Sequence, residues 1–398
     1  MLIKSILLKN LLSFGPDTEP LELQNLNVLI GPNGSGKSNL IEAISLLQAA
    51  PRDIKVPVRE GGGIDEWLWR GDTPRRWATL EAVVNIPSDL LDFPHVDVVR
   101  HAARFGDHEG RFYLSEETIS AGDEFNWKNM LFFFDSGAPS GMIRGRRRKR
   151  DFKTKDMDNN LSILSQIKDP DHYPELTDLG QRYEKIKIYR DFTFGRRTIF
   201  RDPQRADMPN DLLLEDGSNF GLALNTLRRN PKAKKIFLDY LRFLNRDFED
   251  FDVKVEGNTI QVFLTETPRK SGRSWIVPAS RASDGTLRYL WLLAILLHPN
   301  PPPLICVEEP ELGLHPDMIG KVADLLRDAA TRTQLVVTTH SDILVDAFTE
   351  TPEAVIVCEK HAGATQFRRL ERKGLAIWLK NYSLGELWVR GDIGGNRW

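Results

Sequence analysis

Short apolar runs alternate with longer mixed segments at both ends of the chain. Near the start, residues 3–10, 21–23, 27–30 and 78–84 each have the pattern of a strand, and residues 39–47 that of a helix. Near the end, strands are predicted at residues 304–308, 334–338 and 354–358, separated by helices at 285–298, 316–330 and after Ser341. Strands that alternate with helices are typical of a parallel sheet covered by helices. The pattern therefore predicts an α/β fold with a mostly parallel sheet and an antiparallel N-terminal β-subdomain.

The middle of the chain has a different pattern. Residues 115–209 are irregular and polar, and two predicted helices follow at 211–229 and 232–248. A hairpin is predicted at residues 252–263, with Gly257-Asn258 as its turn. We therefore expect three segments. These are an N-terminal lobe at residues 1–95, an inserted α+β and helical region at 96–270, and a C-terminal lobe at 271–398.

Residues 31–38, Gly-Pro-Asn-Gly-Ser-Gly-Lys-Ser, fit the phosphate-loop pattern of a glycine, four free positions and Gly-Lys-Ser/Thr. The loop stands between a predicted strand and a predicted helix, so unpaired N–H groups and the positive end of the helix dipole share one concavity. A glycine-rich turn without a ligand is the alternative, and the flanking elements argue against it. Lys37 would reach the β- and γ-phosphates of a nucleotide, and the Ser38 hydroxyl would ligate Mg²⁺. The candidate nucleotide ligands in this loop are Asn33, Gly34, Ser35, Gly36, Lys37, Ser38 and Asn39.

The apolar run at residues 304–307 ends in two acids, Glu308 and Glu309. The carboxyl end of a buried strand is where α/β sheets place ligand chemistry. Glu308 would hold Mg²⁺ through its water shell, and Glu309 would orient or deprotonate the water that attacks the γ-phosphate. Two solvated glutamates at a strand end are the alternative.

A second apolar run, at residues 335–339, is followed by His340. The imidazole could donate to the γ-phosphate and sense its presence. A histidine in this position is also a common neighbour of a helix cap, and Ser341 would serve as that cap.

The composition is that of a soluble globular protein, with 41% hydrophobic and 28% charged residues in a chain of 398. Its length allows two domains, or one domain with a large insertion. The formal net charge of −2 gives no general attraction to nucleic acid. A strongly basic run extends from Arg144 to Arg150 and is followed by Lys153 and Lys155. We interpret the segment from Arg144 to Lys155 as a mobile loop that is either solvated or a contact for DNA.

The two cysteines, Cys306 and Cys358, both lie in apolar runs. Reduced buried thiols and a cytoplasmic location are therefore expected. No apolar run approaches the length of a membrane span, and the first residues have no cleavage region of a signal peptide.

Three motifs together resemble a known family: residues 31–39, the sequence Glu-Glu-Pro-Glu-Leu-Gly-Leu-His-Pro at 308–316, and Thr-Thr-His-Ser-Asp at 338–342. They are similar to the ABC-type ATPases of the RecF, SMC and OLD kind. More narrowly, the chain resembles the bacterial AAA family ATPases of the AAA-21 type. The resemblance covers residues 1–90 and 275–398, and the middle more loosely. It implies an ABC-ATPase head with a P-loop NTPase fold that binds ATP and Mg²⁺ and hydrolyses the ATP.

The resemblance also implies a signature motif that completes the site of a second copy in an ATP-dependent homodimer. Residues 282–288 stand in its place, so Ser283, Asp284 and Gly285 would offer a helix N-terminus to the partner's γ-phosphate. Asp284 replaces the first glycine of the transporter form Leu-Ser-Gly-Gly-Gln, and a helix cap alone would also explain Ser283-Asp284. Gln166 is a candidate for the family's glutamine-bearing loop.

The leading hypothesis is a DNA-associated ATPase of genome maintenance or defence against phage. The alternative is an ATP-gated scaffold that hydrolyses slowly and holds a separately encoded effector such as a nuclease. OLD-type proteins carry a nuclease domain after the head, whereas this chain ends soon after its last predicted strand. A small-molecule kinase fits poorly, because it has no use for Glu309 or for the Ser283 motif.

Overall fold

The computed structural model describes residues 1–71, 76–91, 93, 95–138, 140–145, 148–153, 156–190, 195–196, 198–268 and 272–395. The strands in chain order are β1 Ile3–Lys9, β2 Leu21–Glu22, β3 Leu26–Ile30, β4 Trp77–Asn85, β5 Val98–His108, β6 Arg111–Ala121, β7 Met130–Asp135, β8 Ser140–Gly145, β9 Arg148–Lys153, β10 Lys187–Tyr189, β11 Gln204–Arg205, β12 Phe248–Glu256, β13 Thr259–Glu266, β14 Trp275–Pro278, β15 Leu304–Glu308, β16 Gln334–Thr338, β17 Val355–His361 and β18 Ala364–Arg369. The helices are α1 Lys37–Ala49, α2 Lys55–Glu60, α3 Ile64–Trp67, α4 Ile163–Gln166, α5 Pro174–Glu184, α6 Phe220–Arg229, α7 Pro231–Leu244, α8 Asp284–Leu296, α9 Pro316–Ala330, α10 Asp342–Asp346, α11 Arg372–Leu375 and α12 Leu384–Val389.

The chain forms two compact units. The first combines Met1–Ile186 with Glu353–Glu371 and Gly391–Trp398. The second combines Lys187–Pro352 with Arg372–Arg390. Each unit is therefore built from segments that are distant in sequence.

The first unit contains an antiparallel sheet in the order β2-β1-β4-β5-β6-β7-β8-β9. It also contains β3, which pairs in parallel with β17, and β17 pairs in antiparallel fashion with β18. Val28, Leu29 and Ile30 of β3 are fully buried, as expected for a strand whose apolar residues are consecutive rather than alternating. Helix α1 packs on α2 and α5.

The second unit contains the parallel strands β10, β15 and β16, with Cys306 of β15 paired to Ile188 on one side and Val336 on the other. Helix α8 is buried at every position from Leu287 to Leu296, and all of these residues except Arg288 and Tyr289 are apolar. A separate antiparallel group has β13 at its centre, paired with β11, β12 and β14, and α6 and α7 pack on β12. Its turn lies at Gly257-Asn258, as the sequence predicts.

The interpretation of residues 115–209 as irregular is wrong for their first part, where β6, β7, β8 and β9 continue the antiparallel sheet. The pattern misleads because polar side chains of β6 are buried. The Glu117 carboxylate accepts hydrogen bonds from Ser162 Oγ at 2.6 Å and Ile163 N–H at 2.8 Å. His101 Nε2 lies 3.0 Å from the same carboxylate. This internal network connects β5 and β6 to α4.

The interpretation of the basic segment as a mobile loop is also wrong for the residues that the structure describes. Strands β8 and β9 form a hairpin in which Gly145 pairs with Arg148, and β9 ends the sheet order. Arg144 donates from Nη2 to Lys128 O at 2.8 Å. The remaining basic positions fall outside the described set, as whole residues for Arg146, Arg147 and Lys155 and as side chains for 148–153.

Helix α6 begins at Phe220 rather than at residue 211. Asn219 organises the preceding segment, since its Nδ2 donates to Pro209 O at 2.7 Å and Leu212 O at 2.8 Å and its Oδ1 accepts from Leu214 N–H at 2.8 Å. The helical sequence pattern therefore extends over residues 211–219, which do not form a helix because the Asn219 side chain makes hydrogen bonds to their backbone.

Both cysteines are buried free thiols. No helix among the described residues combines the length and apolar character needed to cross a bilayer.

We predict that Glu117→Ala lowers the free energy of unfolding by about 3 kcal/mol, because it leaves the buried donors of Ser162 and Ile163 without an acceptor. The control is Glu124→Ala, which removes an exposed glutamate and should change the stability by no more than about 0.5 kcal/mol. Urea denaturation followed by circular dichroism measures both. Equal losses for the two variants would contradict a supporting role for the network.

Candidate nucleotide site

The phosphate loop between β3 and α1 adopts backbone angles that favour glycine. Gly31, Gly34 and Gly36 have φ values of 148°, 78° and 105°. A Cβ at Gly36 would lie 2.2 Å from Thr365 Oγ1 and 2.7 Å from Ser13 Oγ. The loop therefore requires glycine at position 36 both for its backbone conformation and for its packing.

The hydroxyls of Ser13 and Thr365 support the loop through hydrogen bonds. Thr365 Oγ1, on β18, donates to Ser35 O at 2.8 Å and lies 2.7 Å from Ser13 Oγ. Asn39 donates from Nδ2 to Ser13 Oγ at 2.8 Å. Sequence reasoning missed Ser13 and Thr365, because no motif connects two hydroxyl residues 352 positions apart.

The loop presents groups that fit an anionic ligand rich in oxygen acceptors. Lys37 Nζ donates to Gly31 O at 2.7 Å and Pro32 O at 3.1 Å, so the ammonium lies against the loop. Ser35 Oγ is buried and has no hydrogen-bond partner among the described residues. A phosphate group would offer acceptors to both groups. The exposed positions of the loop are Asn33, Gly34 and Ser38.

Glu308 and the residues discussed next belong to the second unit. Glu308 ends β15, and its Oε1 lies 3.6 Å from Arg190 Nε in a half-buried ion pair. The parallel register pairs Tyr189 with Val307, which brings the following residues Arg190 and Glu308 side by side. Arg190 was not singled out from the sequence, because only this register connects it to the motif.

Glu309 has a left-handed backbone, with φ of 45°. Such a conformation costs a non-glycine residue of the order of 1–3 kcal/mol and is concentrated at functional sites. Three hydrogen bonds hold it. The Glu309 N–H donates to Thr338 O at 3.0 Å, and its carbonyl accepts from Arg288 Nη2 at 2.5 Å and Leu312 N–H at 3.1 Å.

The structure brings His340 to Glu309, with His340 Nε2 lying 3.8 Å from Glu309 Oε1. Glu311 supports the same corner, since its Oε1 accepts from Thr339 Oγ1 at 2.6 Å and His340 N–H at 3.2 Å. Burial raises the pKa of the Glu311 carboxyl, although these hydrogen bonds oppose that effect. The ends of β15 and β16 thus form one connected polar cluster.

Ser283 is the N-cap of α8, and its Oγ accepts from Thr286 N–H at 3.1 Å. Asp284 begins the helix, and both Ser283 and Asp284 are exposed. A Cβ at Gly285 would lie 3.2 Å from Gly313 O, so the loop after β15 passes close to this helix start. Ser283 thus has the capping role expected for it. Because this helix N-terminus is exposed, it is also accessible to a ligand.

Arg288 lies one turn further along α8 and is buried. Its guanidinium donates to the Glu309 carbonyl, and burial lowers its pKa to about 10, with Glu311 and Glu309 acting in the opposite direction. One helix therefore carries the exposed signature residues and a buried contact to Glu309.

Gln166 serves its own loop in the first unit. Its Nε2 donates to Leu161 O at 2.9 Å and Asp158 O at 3.2 Å, and its Oε1 accepts from Asp158 N–H at 3.0 Å.

The sequence as a whole shows to which family the chain belongs. Residues 26–346, most of the chain, match the AAA_21 family, described as "AAA domain, putative AbiEii toxin, Type IV TA system". The chain belongs to the AAA_21 family. This is a family of P-loop ATPases, and the resemblance inferred from the three motifs is confirmed.

Solved structures similar to this AAA_21 protein include SMC heads. A crystal structure of the SmcHead bound to the C-winged helix domain of ScpA has a TM-score of 0.60 at 15% identity, covering 94% of this chain and 99% of that one. The Smc head with an extended coiled coil from Pyrococcus furiosus, bound to the C-terminal domain of ScpA, has a TM-score of 0.56 at 13% identity over 95% and 98% of the two chains. The Smc head with a coiled coil and joint from Pyrococcus yayanosii has 0.53 at 12% over 95% and 99%. The predicted α/β fold of an ABC-type head is confirmed.

One curated relative is the chromosome partition protein Smc of Desulfitobacterium hafniense (strain Y51), which is 27% identical over 142 residues. The match covers 34% of the AAA_21 chain and only 11% of that protein.

We predict that Gly36→Ala lowers the free energy of unfolding of the nucleotide-free protein by about 2 kcal/mol more than Gly34→Ala does. Both positions have positive φ, but nothing lies within 4 Å of a Cβ at Gly34, whereas a Cβ at Gly36 meets two hydroxyls. Urea denaturation without nucleotide measures the difference. Equal costs would mean that the Ser13 and Thr365 hydroxyls do not shape the loop.

Proposed function

We propose that the protein binds ATP with Mg²⁺ at the phosphate loop and hydrolyses the ATP as an ATP-linked homodimer. The observation that carries the proposal is the loop itself, where the Lys37 ammonium lies against Gly31 O and Pro32 O and the buried Ser35 hydroxyl has no hydrogen-bond partner among the described residues. Residues 33–39 would hold the triphosphate, with Lys37 at the β- and γ-phosphates. Ser38 and Glu308 would hold Mg²⁺, which when bound neutralises charge on the phosphate oxygens.

The catalytic roles are assigned to the polar cluster of the second unit. Glu309 would orient the attacking water and accept its proton, and His340 would donate to the γ-phosphate. The support for Glu309 is its strained backbone, which three hydrogen bonds fix before any ligand arrives. The support for His340 is its position 3.8 Å from that carboxylate.

The dimer is assigned through the signature residues. Ser283, Asp284 and Gly285 stand at an exposed helix N-terminus, which would accept the γ-phosphate bound by the second copy. ATP that contacts both copies favours the closed dimer by mass action, and hydrolysis releases it.

The process served by this ATPase is assigned to DNA, in genome maintenance or anti-phage defence in the cytoplasm. The Smc relative is named for chromosome partition, and the family description names a toxin–antitoxin system. The basic β8–β9 hairpin would contact DNA phosphates. Charged edge strands also serve to prevent pairing with other sheets, and the charge reversals described below distinguish the two roles.

A second candidate is an ATP-gated scaffold for a separately encoded effector. The SMC heads of similar fold were solved with a domain of another protein, ScpA. In this chain a cavity of about 480 Å³ lies between α10 and α12, lined in part by Ile343, Tyr382 and Val389. Helix α10 begins two residues after His340, so a protein bound there would lie next to the proposed phosphate sensor.

We predict that Glu309→Gln leaves ATP binding intact, lowers turnover about 10²- to 10⁴-fold, and enriches the ATP-bound dimer, because only the proton acceptor is lost. Phosphate release and light scattering measure the two effects. Glu256→Gln, at an exposed position on β12, is the matched control and should behave as the unmodified protein. Unchanged turnover in Glu309→Gln would rule out the assigned role.

A different result is predicted for Lys37→Ala, which should abolish nucleotide affinity.

We predict that changing Arg146, Arg147 and Arg148 together to Glu abolishes DNA binding and leaves ATP turnover without DNA unchanged. The measurement is fluorescence anisotropy of a labelled duplex over a range of salt concentrations.

The control changes the same number of exposed basic residues outside the hairpin, namely Lys232, Lys235 and Arg246, to Glu. It gives the same net charge, so a hairpin-specific effect separates from a general one. If both triple variants bind DNA as the unmodified protein does, the hairpin has no such role and the scaffold function is favoured.

A further inference from the structure

The Arg201 side chain makes hydrogen bonds to the segment that leads into α8, the signature helix. Its Nη1 donates to Ser280 O at 2.6 Å and Ala282 O at 2.7 Å, and its Nε donates to Gly195 O at 2.9 Å. Its Nη2 donates to Asp284 Oδ1 at 2.5 Å. The arginine side chain is only 17% exposed, whereas that of Asp284 is 49% exposed. The backbone carbonyls thus hold the guanidinium in place independently of the carboxylate.

Asp284 creates an electrostatic conflict at this position. A carboxylate in the first turn of a helix is favourable for the isolated subunit, since it interacts with the positive end of the helix dipole. The same carboxylate would repel the polyanion that the helix N-terminus receives in the proposed dimer. The transporter form of the motif has glycine here and no such charge.

We propose that Arg201 is a positioning residue that neutralises Asp284 and turns its carboxylate aside, so that the signature helix can accept the terminal phosphate of an ATP bound by a second copy. This inference rests on the proposed function. Together, the Arg201 and Asp284 side chains add no net charge at the helix N-terminus that would face the second copy. The three carbonyl contacts keep the guanidinium against the Asp284 carboxylate, where a flexible surface ion pair would not stay.

The alternative is that Arg201 only shapes the loop through its carbonyl contacts. The two roles differ in what a second substitution does. If charge balance is the function, removal of the Asp284 charge must offset removal of the Arg201 charge. If loop shape is the function, Asp284→Asn cannot restore the carbonyl contacts that Arg201→Gln has lost.

The experiment measures the dimer dissociation constant by analytical ultracentrifugation of the full chain with a non-hydrolysable ATP analogue and Mg²⁺. We expect Arg201→Gln to weaken the dimer about tenfold, Asp284→Asn to strengthen it about threefold, and the double variant to return to within about threefold of the unmodified protein. These differences should shrink as salt rises, because the contact is partly solvated.

Arg205→Gln is the control, since Arg205 is an exposed residue of β11 that also pairs with an aspartate, Asp207. It should leave the dimer unchanged. Asp284→Asn leaves Arg201 intact and therefore tests the proposal even if Arg201→Gln does not fold. A weaker or unaltered dimer in Asp284→Asn overturns the proposal, as does a double variant no better than Arg201→Gln. If the unmodified protein does not dimerise with the analogue, the proposed function itself fails, which is a different result.

Discussion

Like charges held close together are the constraint on which this structure depends. Glu308, Glu309 and Glu311 fall within four residues at the end of one strand, in a protein proposed to bind a triphosphate. Each acid has its own means of stabilisation: an arginine beside Glu308, an imidazole near Glu309, and a hydroxyl with a backbone N–H at Glu311. At Glu311, burial raises the pKa of the carboxyl, and the hydrogen bonds from Thr339 and His340 oppose that effect.

Arg288 connects this cluster to the helix that begins with the signature residues. Arg288 donates to the main-chain carbonyl of Glu309. It therefore orients Glu309 without occupying either oxygen of the carboxylate. Because α8 is buried from Leu287 to Leu296, a displacement of its exposed first turn would move the whole helix. In the proposed dimer, contact between the start of α8 and one nucleotide would in this way shift Glu309, which acts on the other nucleotide.

The sequence was most informative where burial is complete. Residues 304–308, 316–330 and 334–338 have the bounds predicted for β15, α9 and β16, because continuous apolar runs and a proline at the helix start leave little freedom. The middle of the chain was misread where a carboxylate and hydroxyls are internal, as around Glu117, since a polar residue in a sequence does not reveal its buried partner. Ser13, Thr365, Arg190 and Arg201 could not be found for a related reason. Each acts on a motif far away in sequence, through a strand register or a loop path that local patterns do not specify.

The pairing of β3 with β17 has a consequence for how the protein is made. Val28 and its partner Val355 are separated by most of the chain, so the strand that leads into the phosphate loop leaves the ribosome long before its neighbour does. At bacterial and eukaryotic synthesis rates the delay is roughly 20 seconds to a minute. During that interval β3 has an open, apolar edge of the kind that recruits other strands. Nascent chains of this protein should therefore be clients of ribosome-associated chaperones, with the need for protection ending only when the last strands emerge.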